Sequence, residues 1–172
     1  MKLKVKVLGF SEIPKLKGIS GVYTLIILVR SAIRVKIGGL GKKKVERGYY
    51  AYTGSALGNG SSSLAGRISR HLRIEKRKRW HIDHLLCSKE VKIEAIVAMV
   101  TARKMECEIN QHLISTLEPS IPILSFGSSD CRAGCKSHLL YLGSDNNVVS
   151  KIAEAYMQKK EGEILVFLSH QA

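Results

Sequence analysis

Five side chains in this sequence, Tyr23, Tyr52, Arg67, His71 and Glu106, form a set suited to cutting a phosphodiester. A carboxylate holds a divalent metal, which polarises a phosphate and stabilises the leaving oxygen. A guanidinium stabilises the charge that develops in the transition state. A phenol or an imidazole orients or deprotonates the attacking water. Tyr23 and Tyr52 each stand beside a glycine at a strand end or bend, in "GVY" and "YTG". Tyrosines often do no more than pack a strand. Here the tyrosine-rich strand runs into a glycine-serine turn and then a basic helix, in "GYYAYTGSALGNGSSSLAGRISRHL".

Helical spacing separates two neighbouring glutamates. In "ARKMECEINQHLISTLE", Met105, Ile109, Leu113 and Leu117 form one stripe at about 100° per residue. Taking Met105 as zero, Glu106 falls inside that stripe at about 100°, and Glu108 on the opposite, solvated side at about 300°. A carboxylate on a packed face is costly unless it is paired or metal-bound. Glu106 is therefore the candidate ligand, with a core-edge salt bridge as the plain alternative. In the earlier helix, Leu64, Ala65, Ile68 and Leu72 define the apolar stripe. Arg67 and His71, four residues apart, stack on its border, while Arg70 and Arg73 point further out. An ordinary exposed basic face is the alternative there.

The elements that must position these groups follow from pattern. "KLKVKV" alternates and reads as a half-exposed strand, and "FSEIPKLKG" as a connection. "GVYTLIILV" is a buried, β-branched strand. "RVKIGGLGKKKVERG" reads as a short strand followed by a glycine- and lysine-rich loop, and "YYAYTG" as a third strand in an antiparallel sheet. Serines cap the helix "SSLAGRISRHLRI". "VKIEAIVAMVT" is another strand, and the Glu106 helix is stopped by Pro119. A loop-rich segment, "SFGSSDCRAGCKSHLLYLGS", ends in a strand, and a helix and strand close the sequence. "GSDNN", near Gly143, reads as a link to a C-terminal appendage.

The chain has 172 residues, with 28 Lys and Arg against 14 Asp and Glu, a net charge of +14 and a pI near 9.8. That balance is the electrostatic footprint of a nucleic-acid binder. Arg70, Arg73, Lys76, Arg77, Lys78 and Arg79 crowd into "RHLRIEKRKRW", where phosphate contact releases counterions without reading sequence. Lys42, Lys43, Lys44 and Arg47 offer a second phosphate contact. Trp80 either stacks on an unpaired base or packs beside "IDHLL". "GGLGKKK" lacks the spacing and the Lys-Ser/Thr ending of a P-loop, which argues against nucleoside triphosphate binding.

"MKLKVKVLGF" lacks the apolar core of a signal peptide, and the longest apolar run is about half the ~20 residues of a membrane helix. A cytoplasmic location is expected. The four cysteines, Cys87, Cys107, Cys131 and Cys135, are too few for a disulfide framework. Cys131, Cys135 and His138 in "CRAGCKSH" have spacing compatible with a structural zinc, with Cys87, Cys107, His81, His84 or Asp130 available as a fourth ligand. The alternative is a glycine-rich loop with small buried cysteines. His81, Asp83 and His84 are also metal-capable, against a core histidine bonded to Asp83.

These motifs together resemble the GIY-YIG nuclease superfamily. Its signature halves stand here as "GVY" and "YTG", its helical arginine as Arg67 at the end of "LAGR", a histidine found in some members as His71, and its metal-binding glutamate as Glu106 in "MECEIN". "YTGSA", "RISRHLR", "WHIDHLL", "ECEI" and "FGSSDCRAGCKSHL" resemble more closely a mostly archaeal branch, in which a similar domain is sometimes fused to an endonuclease III-type glycosylase. The resemblance covers residues 18–142 and leaves 1–17 as a strand extension and 143–172 as a helix-strand appendage. It implies a compact α/β domain with a central, mainly antiparallel three-stranded sheet flanked by helices. It also implies Mg²⁺- or Mn²⁺-dependent hydrolysis of DNA, structure-selective rather than sequence-specific, in repair. Tyr23 or Tyr52 would be the base, Arg67 the phosphate contact, His71 the proton-transfer partner and Glu106 the metal ligand. Many members carry an asparagine after a proline beyond the glutamate helix. "EPSIPILSFG" has none, and Asn110 is the nearest substitute. The rival readings are a non-catalytic nucleic-acid-binding module and a zinc-stabilised partner domain of a repair complex.

Overall fold

Leu25, Ile26 and Ile27 are completely buried in the middle of strand β2 (Gly21–Val29), so this strand must be covered on both faces. The computed structural model describes residues 2–169 and shows how. β2 lies between β5 (Gly48–Ala56) and β6 (Val91–Val100), antiparallel to both. β7 (Leu139–Gly143) joins β5 antiparallel, and β8 (Ile164–Leu168) joins β6 antiparallel. β1 (Val5–Gly9) pairs with β8 in parallel at the far edge. The fold is therefore α/β, as expected, but its sheet has six strands in the order β1-β8-β6-β2-β5-β7 rather than three. The segments expected as terminal additions supply two of those strands.

Alternation along the strands divides the core in two. Tyr23, Leu25 and Ile27 face one side with Tyr50 and Tyr52 of β5. Val22 and Ile26 face the other with Ala51. A bulge at Glu94, where Ile26 pairs Ala95 and Ile27 pairs Ile93, lets β6 keep apolar residues on both faces through the irregularity. Helices α1 (Leu64–Leu72) and α2 (His81–Leu86) contribute Leu64, Ile68, Ile82 and Leu85 to the first face. Helices α3 (Glu106–Leu117) and α4 (Val148–Gln158) contribute Ile109, Leu113, Ile152 and Tyr156 to the second.

The lysine run expected in a loop is instead strand β4 (Lys42–Val45). It pairs with β3 (Ile33–Lys36) as a separate two-stranded sheet. Val45 is buried and Ile33 and Val35 pack on the first core, so this hairpin has an apolar inner side that the lysines obscure in the sequence. Among the described residues, no helix is long and apolar enough to cross a membrane.

Candidate active site

The register between β2 and β5 sets the two candidate phenols side by side. Tyr23 is directly opposite Gly54, and Tyr52 opposite Leu25, so the tyrosines are diagonal neighbours on one face. Gly54 makes this arrangement possible. A Cβ at that position would lie 2.7 Å from the Tyr23 hydroxyl and 2.9 Å from its Cζ. The other signature glycine, Gly21, is equally confined: a Cβ there would lie 2.4 Å from the Met99 carbonyl oxygen.

Helix α1 covers the same face. Ser63 caps it, its hydroxyl accepting from the Gly66 N–H at 3.2 Å. The i,i+4 spacing then carries Arg67 and His71 to the tyrosines. His71 is buried and its Nε2 lies 2.8 Å from the Tyr23 hydroxyl. Burial lowers its pKa to about 3, helped by the charges of Lys76, Arg70 and Arg67 and opposed by Asp83. In the neutral tautomer with Nε2 unprotonated, the ring accepts the Tyr23 proton in this bond and carries its own proton on Nδ1, which is buried without a partner among the described residues. Burial also raises both tyrosines above their ordinary range, with Glu106 pushing in the same direction and Arg67 opposing. Both phenols are protonated at neutral pH.

Tyr23, Tyr52, Arg67 and Glu106 all line one open groove of about 950 Å³, which runs along Thr53–Ser55 of β5. Tyr52 stands edge-on to Phe126, and Arg67 lies with its guanidinium carbon 5.2 Å from the Trp80 ring centre. The Arg67 Nε is buried without a partner, and among the described residues Arg67 makes no ion pair. Glu106 opens helix α3, and Met105 at its N-cap, Ile109 and Leu113 are buried as the stripe predicts. Its side chain is 19% exposed and pairs with the outward-reaching Lys104 at 3.5 Å. Glu108 is paired with Arg103 and Lys159 on the solvent side. Arg79, Ser55, Lys104 and Asp130 also line the groove. Of these only Arg79 and Asp130 stand out in the sequence, one for charge and the other as a metal ligand.

Several basic residues have other work. Arg70 does not point freely outward: it makes a two-pronged bond to the fully buried Asp83, both contacts at 2.7 Å, with its guanidinium 4.1 Å from Trp80. Burial works to raise the Asp83 carboxyl, but Arg70 and the N–H groups of Trp80 and Arg79 outweigh it and hold it at about 2. Asp83 thus caps α2, and among the described residues it bonds no histidine. His81 Nδ1 accepts instead from the Gly127 N–H at 3.0 Å. Lys76 is turned inward, donating to the carbonyls of Arg70 and His71 at the end of α1, and burial lowers its pKa. Trp80 packs against His71 and both arginines. Arg73, Arg77, Lys78 and Arg79 are exposed. Lys42, Lys43 and Lys44 lie on the β3–β4 hairpin and do not line the groove.

Asn110 does not reach the groove either. It is buried in α3, and its Nδ2 donates to the Ser137 carbonyl at 2.8 Å, tethering the 124–138 segment. Cys131, Cys135 and His138 in that segment converge with Cys107 of α3. All four ligand atoms lie within 4.8 Å of one another. This Cys₃His cluster is able to hold a metal such as zinc, and Cys107 is the member its sequence spacing does not single out.

The family described as a domain of unknown function, DUF123, matches residues 22–161, and the chain belongs to that family. No curated protein and no solved structure matches the chain.

Proposed function

We propose that this member of the DUF123 family is a metal-dependent endonuclease that hydrolyses DNA phosphodiester bonds. The observation that carries the reading is the convergence of Tyr23, Arg67 and Glu106 from three separate elements on one groove, with Arg67 left without an acidic partner among the described residues. A buried, unpartnered guanidinium nitrogen favours an anionic ligand, and a phosphate supplies one. The net charge of +14 supports a polyanionic substrate. The choice of DNA, and a setting in the repair of damaged or branched DNA, rest on the resemblance to GIY-YIG nucleases.

Each residue then has a distinct task. Arg67, supported by the Trp80 ring, neutralises the non-bridging oxygens of the phosphate as charge builds there. Tyr23 gives its own proton to the hydrogen bond with His71, so its oxygen lone pairs are free to accept from an attacking water. As that water's oxygen bonds to phosphorus, its proton passes to Tyr23 and the phenolic proton to His71 Nε2, while the bond from phosphorus to the leaving sugar oxygen breaks and that oxygen leaves with the electron pair and takes a proton from solvent. Burial first, and then the charges of Lys76, Arg70 and Arg67, disfavour a charged His71, and the phosphate's negative charge works against both. Tyr52 holds the water or phosphate from the other side. Glu106 would hold Mg²⁺ or Mn²⁺. Such ions take one or two carboxylates and complete their shell with water and phosphate oxygens. Glu106 fits, because its one ion pair among the described residues is to an exposed lysine. When bound, the ion supplies Lewis-acid stabilisation of the phosphate and leaving oxygen.

The test is cleavage of labelled nicked, flapped, branched and plain duplex DNA with Mg²⁺ or Mn²⁺, comparing wild type with Glu106→Gln. The expected result is cleavage by wild type and a loss of about 100-fold or more in the variant, with DNA binding retained. Tight, salt-sensitive binding by both proteins with no cleavage of any substrate would replace this reading with a non-catalytic binding module.

A further inference from the structure

We propose that Cys107, Cys131, Cys135 and His138 bind one structural zinc ion that ties the first turn of α3 to the 124–138 segment. The inference stands independently of nuclease activity. The Cys107 and Cys131 sulfurs are 3.4 Å apart, and the Cys107 sulfur is 3.7 Å from His138 Nε2. A tetrahedral zinc with thiolate bonds of about 2.3 Å and an imidazole bond of about 2.0–2.1 Å has ligand-to-ligand edges of roughly 3.5–3.8 Å. The 3.7 Å spacing falls in that range, the 3.4 Å spacing just below it, and all four atoms lie within 4.8 Å of one another, near enough to close on an ion, whereas a disulfide requires about 2.05 Å. All four cysteines are free thiols. Three thiolates and an imidazole form a soft set that selects zinc over magnesium, whose preferred ligands are oxygens. Four protein ligands also close the shell, as in structural rather than catalytic zinc sites.

The segment needs such a tie. Between Ile123 and Leu139 it has no helix or strand. Phe126 anchors it in the first core, and the rest is held by a few bonds: Asn110 to the Ser137 carbonyl, Gln111 to the Ala133 carbonyl and the Cys135 sulfur, the Gly127 N–H to His81, and the backbone pairs Ser125–Lys136 and His138–Phe126. Arg132, Ala133 and Gly134 between the cysteines are exposed and bury nothing. The same segment contributes Gly127, Asp130 and His138 to the groove wall, and Cys107 adjoins Glu106. A zinc ion here fixes the position of the groove's acidic side without touching substrate. Its binding displaces the three thiol protons to solvent.

The test is bound metal measured by elemental mass spectrometry on full-length protein, purified in reducing buffer with neither chelator nor added metal. One zinc per chain is expected in wild type and in Cys87→Ser, and less than a tenth of that in Cys107→Ser and in Cys131→Ser. Cobalt added to chelator-stripped wild type should give the intense visible absorption of tetrahedral thiolate coordination. Trypsin should cut after Arg132 or Lys136 at least tenfold faster in stripped protein than in zinc-loaded protein, a comparison that needs no variant to fold. Wild type that takes up no zinc even when incubated with it would overturn the proposal. So would full zinc occupancy in both Cys107→Ser and Cys131→Ser, or equal tryptic cleavage with and without the metal. A failed cleavage assay on DNA leaves these readouts unaffected.

Discussion

Replacing His71 with glutamine should flatten the acid sensitivity of the fold. The buried imidazole is lowered from its ordinary 6.5 to about 3, first by loss of water and then by Lys76, Arg70 and Arg67, with Asp83 working the other way. The unfolded chain therefore binds this proton before the folded chain does. As pH falls below about 6.5 the unfolded state gains, and stability drops until the folded value near 3 is passed. Integrated from pH 7 to pH 5, the difference is about 1.4 pK units, or about 2 kcal/mol. With a urea slope of about 2 kcal/mol/M, the wild-type midpoint should fall roughly 1 M more over that interval than the variant's. His81 and His138 are also lowered by burial, but both proteins contain them and their contributions cancel. The assay is urea unfolding at the two pH values. Tyr23→Phe is the control: it removes the 2.8 Å bond but keeps the titrating imidazole, so it should retain most of the wild-type pH slope. Equal midpoint losses in wild type and His71→Gln would refute the reasoning that His71 is buried in neutral form, and with it its assignment as proton acceptor for Tyr23.

Three other outcomes follow from particular contacts. Asp83→Asn should destabilise the protein by about 3 kcal/mol, measured by urea unfolding at pH 7, because Arg70 loses its buried carboxylate. The Asp83 contribution is complete above 3.8 and is lost as pH falls toward about 2, so the gap between the two proteins should narrow only in that acid range. Gly54→Ala should cost about 1–3 kcal/mol in thermal or urea unfolding, since the new Cβ would lie 2.7 Å from the Tyr23 hydroxyl and must displace its ring. Arg73→Ala and Arg77→Ala, each exposed, should each lower the log–log salt slope of DNA binding by about 1 with stability unchanged. Arg70→Ala should instead lose stability, with a much smaller change in that slope.

Local features were legible because they depend on local periodicity. The unbroken apolar run of β2, rich in β-branched residues, announced a strand covered on both faces. The 3.6-residue stripe through Met105, Ile109 and Leu113 separated Glu106 from Glu108, and the i,i+4 spacing put Arg67 and His71 together on one helix border. Charge was legible only as a sum. Lys42–Lys44 looked like a loop because the apolar inner side of the hairpin comes from Val35, opposite Lys43, and from the Ile33–Val45 pair beyond the run, and only pairing reveals it. Arg70 and Lys76 looked like phosphate contacts because nothing in their spacing announces Asp83 or the end of α1 as partners. The six-stranded sheet escaped the sequence for the same reason: β1 and β8 come from opposite ends of the chain, and no periodicity marks which strands will pair. Cys107 likewise joins Cys131, Cys135 and His138 only because α3 and the 124–138 segment meet in space. Which side chains share a face of a strand or helix is written in the local pattern, since it follows from backbone geometry. Which faces meet is not, because it depends on contacts between distant segments, and those contacts settle which charges are free for a ligand and which are already neutralised within the protein.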